Sequence, residues 1–120
     1  MAGGTSRPQR PKSSGQSFTR GDVVWADLDP AKGREQAKHR PYLVLSDTRY
    51  HHAFSLVIGV PMTSAERSWP TRVQVTSGSW AICEQVRTFS TERITRVERR
   101  RYDVSAVQKI VTRLIGGPGR

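Results

Sequence analysis

The spacing of apolar residues restricts most of this chain to short β-strands, with a single helix at its C-terminal end. Five segments either alternate apolar and polar side chains or are apolar on both faces, as strands are: 22–29, 41–47, 55–63, 71–76 and 79–89. The segment 41–47 is apolar on both faces, which indicates a central strand. Helical spacing of apolar residues is found in the last stretch, at Val104, Val107, Ile110, Val111, Leu114 and Ile115. We therefore expect a mainly β fold with a C-terminal helix, in the form of a small, strongly bent barrel.

The predicted strands differ in which side chains they bury. The first strand has one good core face, formed by Val24, Ala26 and Leu28. Pro61 cannot donate a hydrogen bond to a neighbouring strand and should therefore lie at a sheet edge or a strand end. In the predicted strand 79–89, Glu84 points to the same side as its apolar neighbours, and its carboxylate needs a partner or solvent there.

The C-terminal helix has recognisable ends. Asp103 is predicted to be its N-cap, and Tyr102 and Val107 can form a hydrophobic staple across the first turn. The Gly-Gly-Pro sequence at 116–118 should end the helix, because glycine accepts the left-handed conformation of a helix C-terminus and proline cannot continue the helix.

The chain is strongly basic. It has 20 Lys and Arg residues against 10 Asp and Glu, a formal net charge of +10, which favours a polyanionic partner. Residues 1–19 hold three basic side chains, no acidic ones and few apolar ones, so we predict a disordered basic tail there. The rest of the chain keeps 17 basic and 10 acidic residues, about +7, so the charge also belongs to the domain. We assign the domain to 20–117 and a short C-terminal tail to 118–120.

Cysteine and histidine usage argues against a disulfide or a structural metal. Cys83 has no second cysteine to pair with, and histidines at 39, 51 and 52 do not make a standard zinc set. The sequence has neither a phosphate-binding glycine loop nor a nucleophile elbow. No stretch reaches the roughly 18 apolar residues of a membrane span, and the N-terminus lacks the apolar core of a secretory signal. We expect a cytoplasmic protein without metal, cofactor or membrane association.

Polar residues at two strand ends indicate a candidate site. Arg40 precedes the second predicted strand, and Thr63 and Ser64 end the third. At one rim of a small barrel, a guanidinium beside hydroxyl groups could bind an oxyanion or a phosphate. The loop before Arg40 adds further polar groups, at Glu35, Gln36 and Lys38. Spacing alone leaves open the alternative that the arginine is a solvated surface charge and that the hydroxyls serve a turn.

Three segments, in order and with compatible gaps, resemble the MazF/PemK toxins of bacterial toxin–antitoxin systems. They are RGDVVWADLDPAKGREQAKHRPYLVLS (20–46), VIGVPMTSAE (57–66) and ICEQVRTFSTERI (82–94). With the C-terminal helix, the resemblance covers roughly residues 19–116. It implies an SH3-like (PemK/CcdB-like) barrel that is active as a homodimer, uses no metal and is silenced by a cognate antitoxin.

The resemblance also implies roles for individual residues. The arginine of the family's RP motif and the threonine after its third strand form the catalytic pair, and they correspond to Arg40 and Thr63. Two further motifs lie near the RNA channel in relatives, a GxEQ loop and an EQ(I/V)R strand. The substrate-binding residues expected on this basis are Glu35, Gln36, Lys38, Ser64, Gln85 and Arg87.

The function implied by the resemblance is sequence-specific cleavage of single-stranded RNA, whether mRNA, tRNA or rRNA, and hence inhibition of translation and growth. No metal is needed if the 2′-hydroxyl of the RNA attacks the phosphate, which leaves a 2′,3′-cyclic phosphate and a 5′-hydroxyl. Arg40 suits the stabilisation of the phosphorane charge. Thr63 is assigned to orienting the 2′-hydroxyl or the phosphate, while its action as a base, and any part for His39, stay open. The antitoxin should offer an acidic, intrinsically disordered segment that orders on binding.

Two other classes of protein are alternatives to an endoribonuclease. A CcdB-like toxin poisons gyrase by protein contact and cleaves nothing, and a basic RNA-binding barrel binds RNA without catalysis. The GREQ loop and the pair formed by Arg40 and Thr63 argue against the first. Among the tryptophans, Trp69 lies in a loop and is the better candidate for stacking on an RNA base, whereas Trp25 and Trp80 are expected in the core or at a dimer contact.

Overall fold

A computed structural model describes residues 17–28 and 39–116 of the chain. This part forms seven strands, two α-helices and short 3₁₀ turns at Cys83–Gln85 and Thr91–Arg93. The strands and helices are β1 (Val23–Asp27), β2 (His39–Val44), α1 (Thr48–Phe54), β3 (Leu56–Thr63), β4 (Arg72–Thr76), β5 (Ser79–Ile82), β6 (Arg87–Ser90), β7 (Ile94–Glu98) and α2 (Ser105–Ile115). The predicted mainly β fold with a C-terminal helix is confirmed.

The strands form one antiparallel sheet in the order β4-β5-β3-β2-β1-β7, with β6 pairing to β3 outside this path. β2 lies between β1 and β3, as its two apolar faces predict. β3 pairs with β6 along residues 56–59 and with β5 at Met62 and Thr63, so its outer neighbour changes partway along the strand. This change bends the sheet onto itself.

Both faces of the sheet are buried. One cluster contains Val23, Leu43 and Val60 together with Val107 and Val111 of α2, so the C-terminal helix covers this face. The other cluster contains Val24, Ala26, Tyr42, Val44, Val57, Phe89 and Ile94. The expectation of one core face for β1 is therefore wrong, because α2 covers one face of the strand while side chains of β6 and β7 close over the other.

The segment 79–89 is not one strand. Continuing the register of β5 against β3 would place Gly59 opposite residue 84, whereas Gly59 pairs with Arg87. The shift of three residues is taken up by the 3₁₀ turn at Cys83–Gln85, and Glu84 is exposed to solvent there. Pro61 lies inside β3, between the residues that pair with β6 and those that pair with β5. Its missing N–H therefore falls where the neighbouring strand is interrupted.

Helix α1 was not expected from the sequence. Asp47 caps it by accepting a hydrogen bond from the backbone N–H of Arg49, and Ser55 ends it in a left-handed conformation at φ 56°. His51 is the buried residue of this helix. Because its buried side chain is a histidine rather than an aliphatic group, the helix has no apolar periodicity for a sequence reading to detect.

His51 joins α1 to the sheet and to the chain before β1. Its Nε2 lies 2.7 Å from the Ser46 hydroxyl, which also accepts the backbone N–H of Ile58 at 2.9 Å. The Phe18 ring packs against the imidazole with ring centroids 4.5 Å apart. Burial is the main cause that lowers the pKa of His51 to about 4, with a smaller contribution from neighbouring His52.

Helix α2 ends at Gly116 as predicted, but its N-cap is Val104 and the prediction of Asp103 is wrong by one residue. The Asp103 carboxylate accepts hydrogen bonds from the backbone N–H and hydroxyl of Ser105, although the cap position itself is Val104. These bonds lower the pKa of Asp103. Gly116 ends the helix at φ 86°. The apolar stripe is buried at Val107 and Val111, but its last residues, Leu114 and Ile115, are exposed.

Asp22 ties the start of β1 to the entry of α2. Its fully buried carboxylate accepts the backbone N–H groups of Thr19 and Arg101, at 3.0 and 3.1 Å, and lies 3.5 Å from the Arg101 guanidinium. Next to it, Gly21 adopts φ 95°, and a Cβ there would lie 2.5 Å from the carbonyl oxygen of Tyr102. Only glycine fits this approach of the two segments.

Candidate active site

Arg40 and Thr63 lie on neighbouring strands. β2 and β3 pair Tyr42 with Pro61, and the same register extended by two residues aligns Arg40 with Thr63. Opposed residues of an antiparallel pair project from the same face of the sheet. The fold therefore places the two residues that were singled out at separate strand ends on neighbouring strands, each two residues beyond the paired Tyr42 and Pro61.

A cross-strand row extends this pair in both directions. Arg40 is opposite Ala26 in β1, Thr63 is opposite Trp80 in β5, and Trp80 is opposite Gln74 in β4. Trp80 is half-buried beside Thr63 rather than fully in a core. The sequence alone could not show that Trp80 and Gln74 continue the row beyond Thr63, because the row depends on the register of three strand pairs.

The Thr63 hydroxyl has a fixed hydrogen bond. Its Oγ1 accepts the backbone N–H of Ala65 at 3.0 Å, so the turn role that the sequence left open is present. A hydroxyl that accepts one N–H still has its own proton to donate. The arrangement orients Thr63 Oγ1 toward donation, which suits contact with a phosphate oxygen.

Arg40 is half-buried at the beginning of β2. Within the described segments, the ion pairs use the carboxylates of Asp22, Asp47 and Glu98, and none of them is made to Arg40. Its neighbour across β1 is the fully buried Ala26, which offers no polar group. Contact of Arg40 with a substrate phosphate is part of the proposed function.

Three further predicted residues lie within the described part of the chain. Arg87 is exposed at the start of β6 and opposes Gly59, on the face that also carries Thr63. Four residues of β3 separate these two positions, about 13 Å along the strand. Gln85 is exposed in the 3₁₀ turn, and Ser64 is exposed directly after β3. The remaining predicted contacts, Glu35, Gln36 and Lys38, lie outside the described residues.

His39 points away from Arg40. It opposes Asp27 on β1, is exposed, and its Nδ1 lies 3.5 Å from the Thr95 hydroxyl. Consecutive strand residues project to opposite faces. The imidazole is thus on the other side of the sheet from the guanidinium.

The basic run at 93–101 is partly engaged within the domain. Glu98 receives hydrogen bonds from Arg96 at 2.6 Å, Arg100 at 3.2 Å and the Trp25 indole N–H at 3.0 Å. Partial burial opposes ionisation of Glu98, but these three bonds outweigh it and hold its pKa below the usual range. Arg96 also lies over the Trp25 ring, 4.7 Å from its centroid. Trp25 is therefore enclosed by its own domain, as expected.

The described residues include a buried cysteine, but neither a metal-binding cluster nor a membrane-spanning helix. Cys83 is buried, and this burial raises the pKa of its thiol to about 11. No group of three or more His, Cys, Asp or Glu residues able to hold a metal ion occurs within 17–28 and 39–116. No helix in those ranges is long and apolar enough to cross a membrane.

Comparison with known proteins places this geometry in a family. Residues 19–115 match a sequence model of the PemK-like, MazF-like toxins of type II toxin–antitoxin systems. The endoribonuclease toxin MazF of Escherichia coli K12 is 39% identical over 74 residues, which cover 58% of this chain and 66% of that protein. Endoribonuclease MazF9 of Mycobacterium tuberculosis is 33% identical over 90 residues, 64% of this chain and 76% of that protein.

Solved structures show the same fold. The crystal structure of MazE-MazF from Deinococcus radiodurans superposes with a TM-score of 0.69 over 83% of this chain and 96% of that chain, at 22% identity. This likeness confirms the predicted barrel-like fold class. The match of the family model confirms the resemblance read from the sequence motifs, and it spans most of the chain. The chain belongs to the PemK-like, MazF-like toxins of type II toxin–antitoxin systems.

Proposed function

We propose that this toxin is a sequence-specific endoribonuclease that cleaves single-stranded RNA without a metal ion. The observation that carries the proposal is that Arg40 and Thr63 lie on neighbouring strands, each two residues beyond the paired Tyr42 and Pro61. Relatives named endoribonucleases support it, as does the formal charge of +10. Bases must be unpaired before their edges can be read, which favours single-stranded substrates.

The reaction is a transesterification within the RNA. The 2′-oxygen forms a bond to phosphorus, the bond from phosphorus to the 5′-oxygen breaks, and no water is consumed. One proton leaves the 2′-hydroxyl and one reaches the departing 5′-oxygen, so the products are a 2′,3′-cyclic phosphate and a 5′-hydroxyl. Because the nucleophile belongs to the substrate, the chemistry does not need a metal-bound hydroxide.

Arg40 and Thr63 have different parts in this reaction. Negative charge grows on the non-bridging oxygens in the phosphorane, and the planar guanidinium of Arg40 can bind two of them at once. Thr63 already accepts the N–H of Ala65, so its hydroxyl is better placed to donate to the phosphate than to remove a proton. We assign Thr63 to orientation of the phosphate. Arg87, about 13 Å along β3, is assigned to a neighbouring phosphate.

The targets and effect follow from the activity. We propose mRNA as the main substrate, with tRNA and rRNA as alternatives, and inhibition of translation and growth as the consequence in the cytoplasm. Gln85 and Ser64, which are both exposed, are assigned to substrate contact together with Glu35, Gln36 and Lys38 of the loop before Arg40.

The proposed partners are a second copy of the chain and an antitoxin. Leu114 and Ile115 at the end of α2 are 49% and 73% exposed, and this apolar pair supports a contact with another chain. A mycobacterial endoribonuclease of the same fold has been solved in complex with its cognate antitoxin. For this toxin we propose an antitoxin with an acidic segment that orders on binding, because the domain carries about +7.

The test is incubation of the purified protein with a long RNA in the presence of EDTA. Discrete fragments with 5′-hydroxyl and 2′,3′-cyclic phosphate ends are expected, and Arg40→Ala protein is the matched control for a contaminating ribonuclease. Binding without fragments would instead indicate an RNA-binding module. A protein that neither binds nor cleaves RNA would direct the search to a CcdB-like action on gyrase.

A further inference from the structure

Trp69 is placed unlike the other two tryptophans. It lies in the loop 64–71, which connects β3 to β4 and begins directly after Thr63, and it is 51% exposed. Trp25 and Trp80 are only half-exposed at most and sit within strands. A large aromatic side chain exposed in a loop beside a candidate active site is available for contact with a ligand.

Arg72 holds this tryptophan in place. The Arg72 guanidinium lies over the Trp69 ring, with Cζ 4.9 Å from the ring centroid. The backbone N–H of Arg72 donates to the carbonyl of Trp69 at 3.0 Å, which closes a turn with Pro70 at its second position. Arg72 therefore covers one face of the ring, and the exposed half of the side chain is left for a partner.

The same arginine connects the tryptophan to the proposed catalytic threonine. Arg72 Nη1 donates to the carbonyl oxygen of Ala65 at 2.9 Å, and the N–H of Ala65 donates to Thr63 Oγ1 at 3.0 Å. Both backbone polar groups of Ala65 are therefore hydrogen-bonded, the carbonyl oxygen to Arg72 and the N–H to Thr63. The loop is ordered by these contacts before any ligand arrives.

Strand pairing places Arg72 on the substrate face. Arg72 opposes Ile82 in β5, and Thr63 opposes Trp80 two residues earlier in the same strand. Residues two apart in a strand share a face, so Arg72 projects from the same side of the sheet as Arg40 and Thr63. Arg72 is two strand spacings from Thr63 and two residues further along the strand, which makes the backbone separation about 12 Å. At this separation, a side chain of β4 can contact a nucleotide close to the cleaved bond.

We propose that Trp69, backed by Arg72, is a stacking platform for one unpaired RNA base next to the cleaved phosphate. The inference rests on the proposed endoribonuclease function and adds a residue that fixes the substrate's position. Stacking is possible for every base, so the platform holds a nucleotide in register while neighbouring groups read its identity. The positive charge of Arg72 behind the ring adds attraction for the adjacent phosphates.

The test is a binding cycle with abasic RNA. A short RNA carrying the cleaved sequence, with a 2′-deoxy sugar at the cleavage position, binds without being cut. Its affinity for wild-type and Trp69→Ala protein is measured with the intact strand and with strands lacking one base at a time. We expect Trp69→Ala to weaken binding of the intact strand by about 5- to 150-fold. For one abasic position beside the cleavage point, wild-type and variant should bind within about twofold of each other, because the base that stacks is already missing.

Two variants serve as controls. Trp69→Phe should recover most of the affinity, since a smaller ring still stacks. Phe54→Ala removes an aromatic side chain that is 63% exposed in α1, and it should leave RNA affinity unchanged. An equal loss for Trp69→Ala at every abasic position, or no loss at all, would overturn the platform while RNA cleavage by the wild type left the proposed function intact. Absence of both RNA binding and cleavage by the wild type would overturn the two together.

Discussion

Acidification from pH 7.5 to pH 5 should destabilise the domain through His51. Its pKa is lowered from 6.5 to about 4 in the folded protein, chiefly by burial, and Asp47 only partly offsets this. Over this interval the unfolded chain takes up a proton at residue 51 and the folded chain does not. Stability from this group is therefore complete above pH 6.5 and is lost as the pH falls toward 4.

The size of the effect follows from the two pKa values. One pKa unit corresponds to about 1.4 kcal/mol. With pKa values of 6.5 in the unfolded chain and about 4 in the folded one, the unfolding free energy should fall by about 2 kcal/mol between pH 7.5 and pH 5. The carboxylates with lowered pKa values, those of Asp47, Glu98 and Asp103, titrate mainly below this interval. These three carboxylates therefore contribute little to the change over this interval.

The assay is urea unfolding followed by tryptophan fluorescence, at one fixed protein concentration, for the wild type and two variants. In His51→Phe protein, whose ring can pack on Phe18, the unfolding free energy should change little between the two pH values. In His52→Gln protein, which loses the exposed neighbour, the fall should remain. A wild-type free energy that is constant across the interval, or a His51→Phe protein that falls by the same amount as the wild type, would refute the reasoning.

Three other predictions concern activity and partners. Arg40→Ala and Thr63→Ala should each lower the rate of RNA cleavage by at least about a hundredfold with an unchanged circular dichroism spectrum, and Arg40→Lys should also fail because it loses the planar fork; near-normal cleavage by the Thr63 variant would remove that residue from the mechanism. The toxin-binding segment of the antitoxin should be acidic with apolar anchors, and an inhibitor that is basic throughout that segment would contradict the electrostatic argument. Deletion of residues 1–16, which spares the packing of Phe18, should reduce the slope of log affinity for RNA against log salt by up to about 3 and leave the cleaved sequence unchanged, as read from sequenced cleavage ends.

The strand pattern was predictable where one periodicity covered a whole element. β2 and β3 were found because their apolar residues form continuous runs, and the buried turns of α2 were found from Val107 and Val111. The break at Cys83–Gln85 was not, because it compensates a register shift against β3 that is only defined once distant strands pair. Apolar and polar residues alternate through the whole segment 79–89, even though a turn divides it into two strands.

The candidate site was predictable in its residue types and not in its arrangement. The sequence placed Arg40 and Thr63 at strand ends, but only the pairing of β2 with β3 puts them on one face. The pairing of β1 with β2 also shows that His39 and Arg40 project from opposite faces of the sheet, although they are adjacent in sequence. The hydrogen bond from Ala65 to Thr63 is local, yet no sequence pattern distinguishes a hydroxyl that both shapes a turn and faces a substrate.

The buried carboxylate of Asp22 has a consequence for the order in which the toxin is made. Its bond to the N–H of Arg101 joins residues 79 positions apart, so this bond cannot form until nearly all of the domain has left the ribosome. The strands that carry Arg40 and Thr63 are synthesised much earlier, but closing so long a loop comes late in folding. We therefore expect nascent chains that end before residue 101 to lack a stable domain, which leaves the cell an interval in which the toxin is being translated but is not yet active.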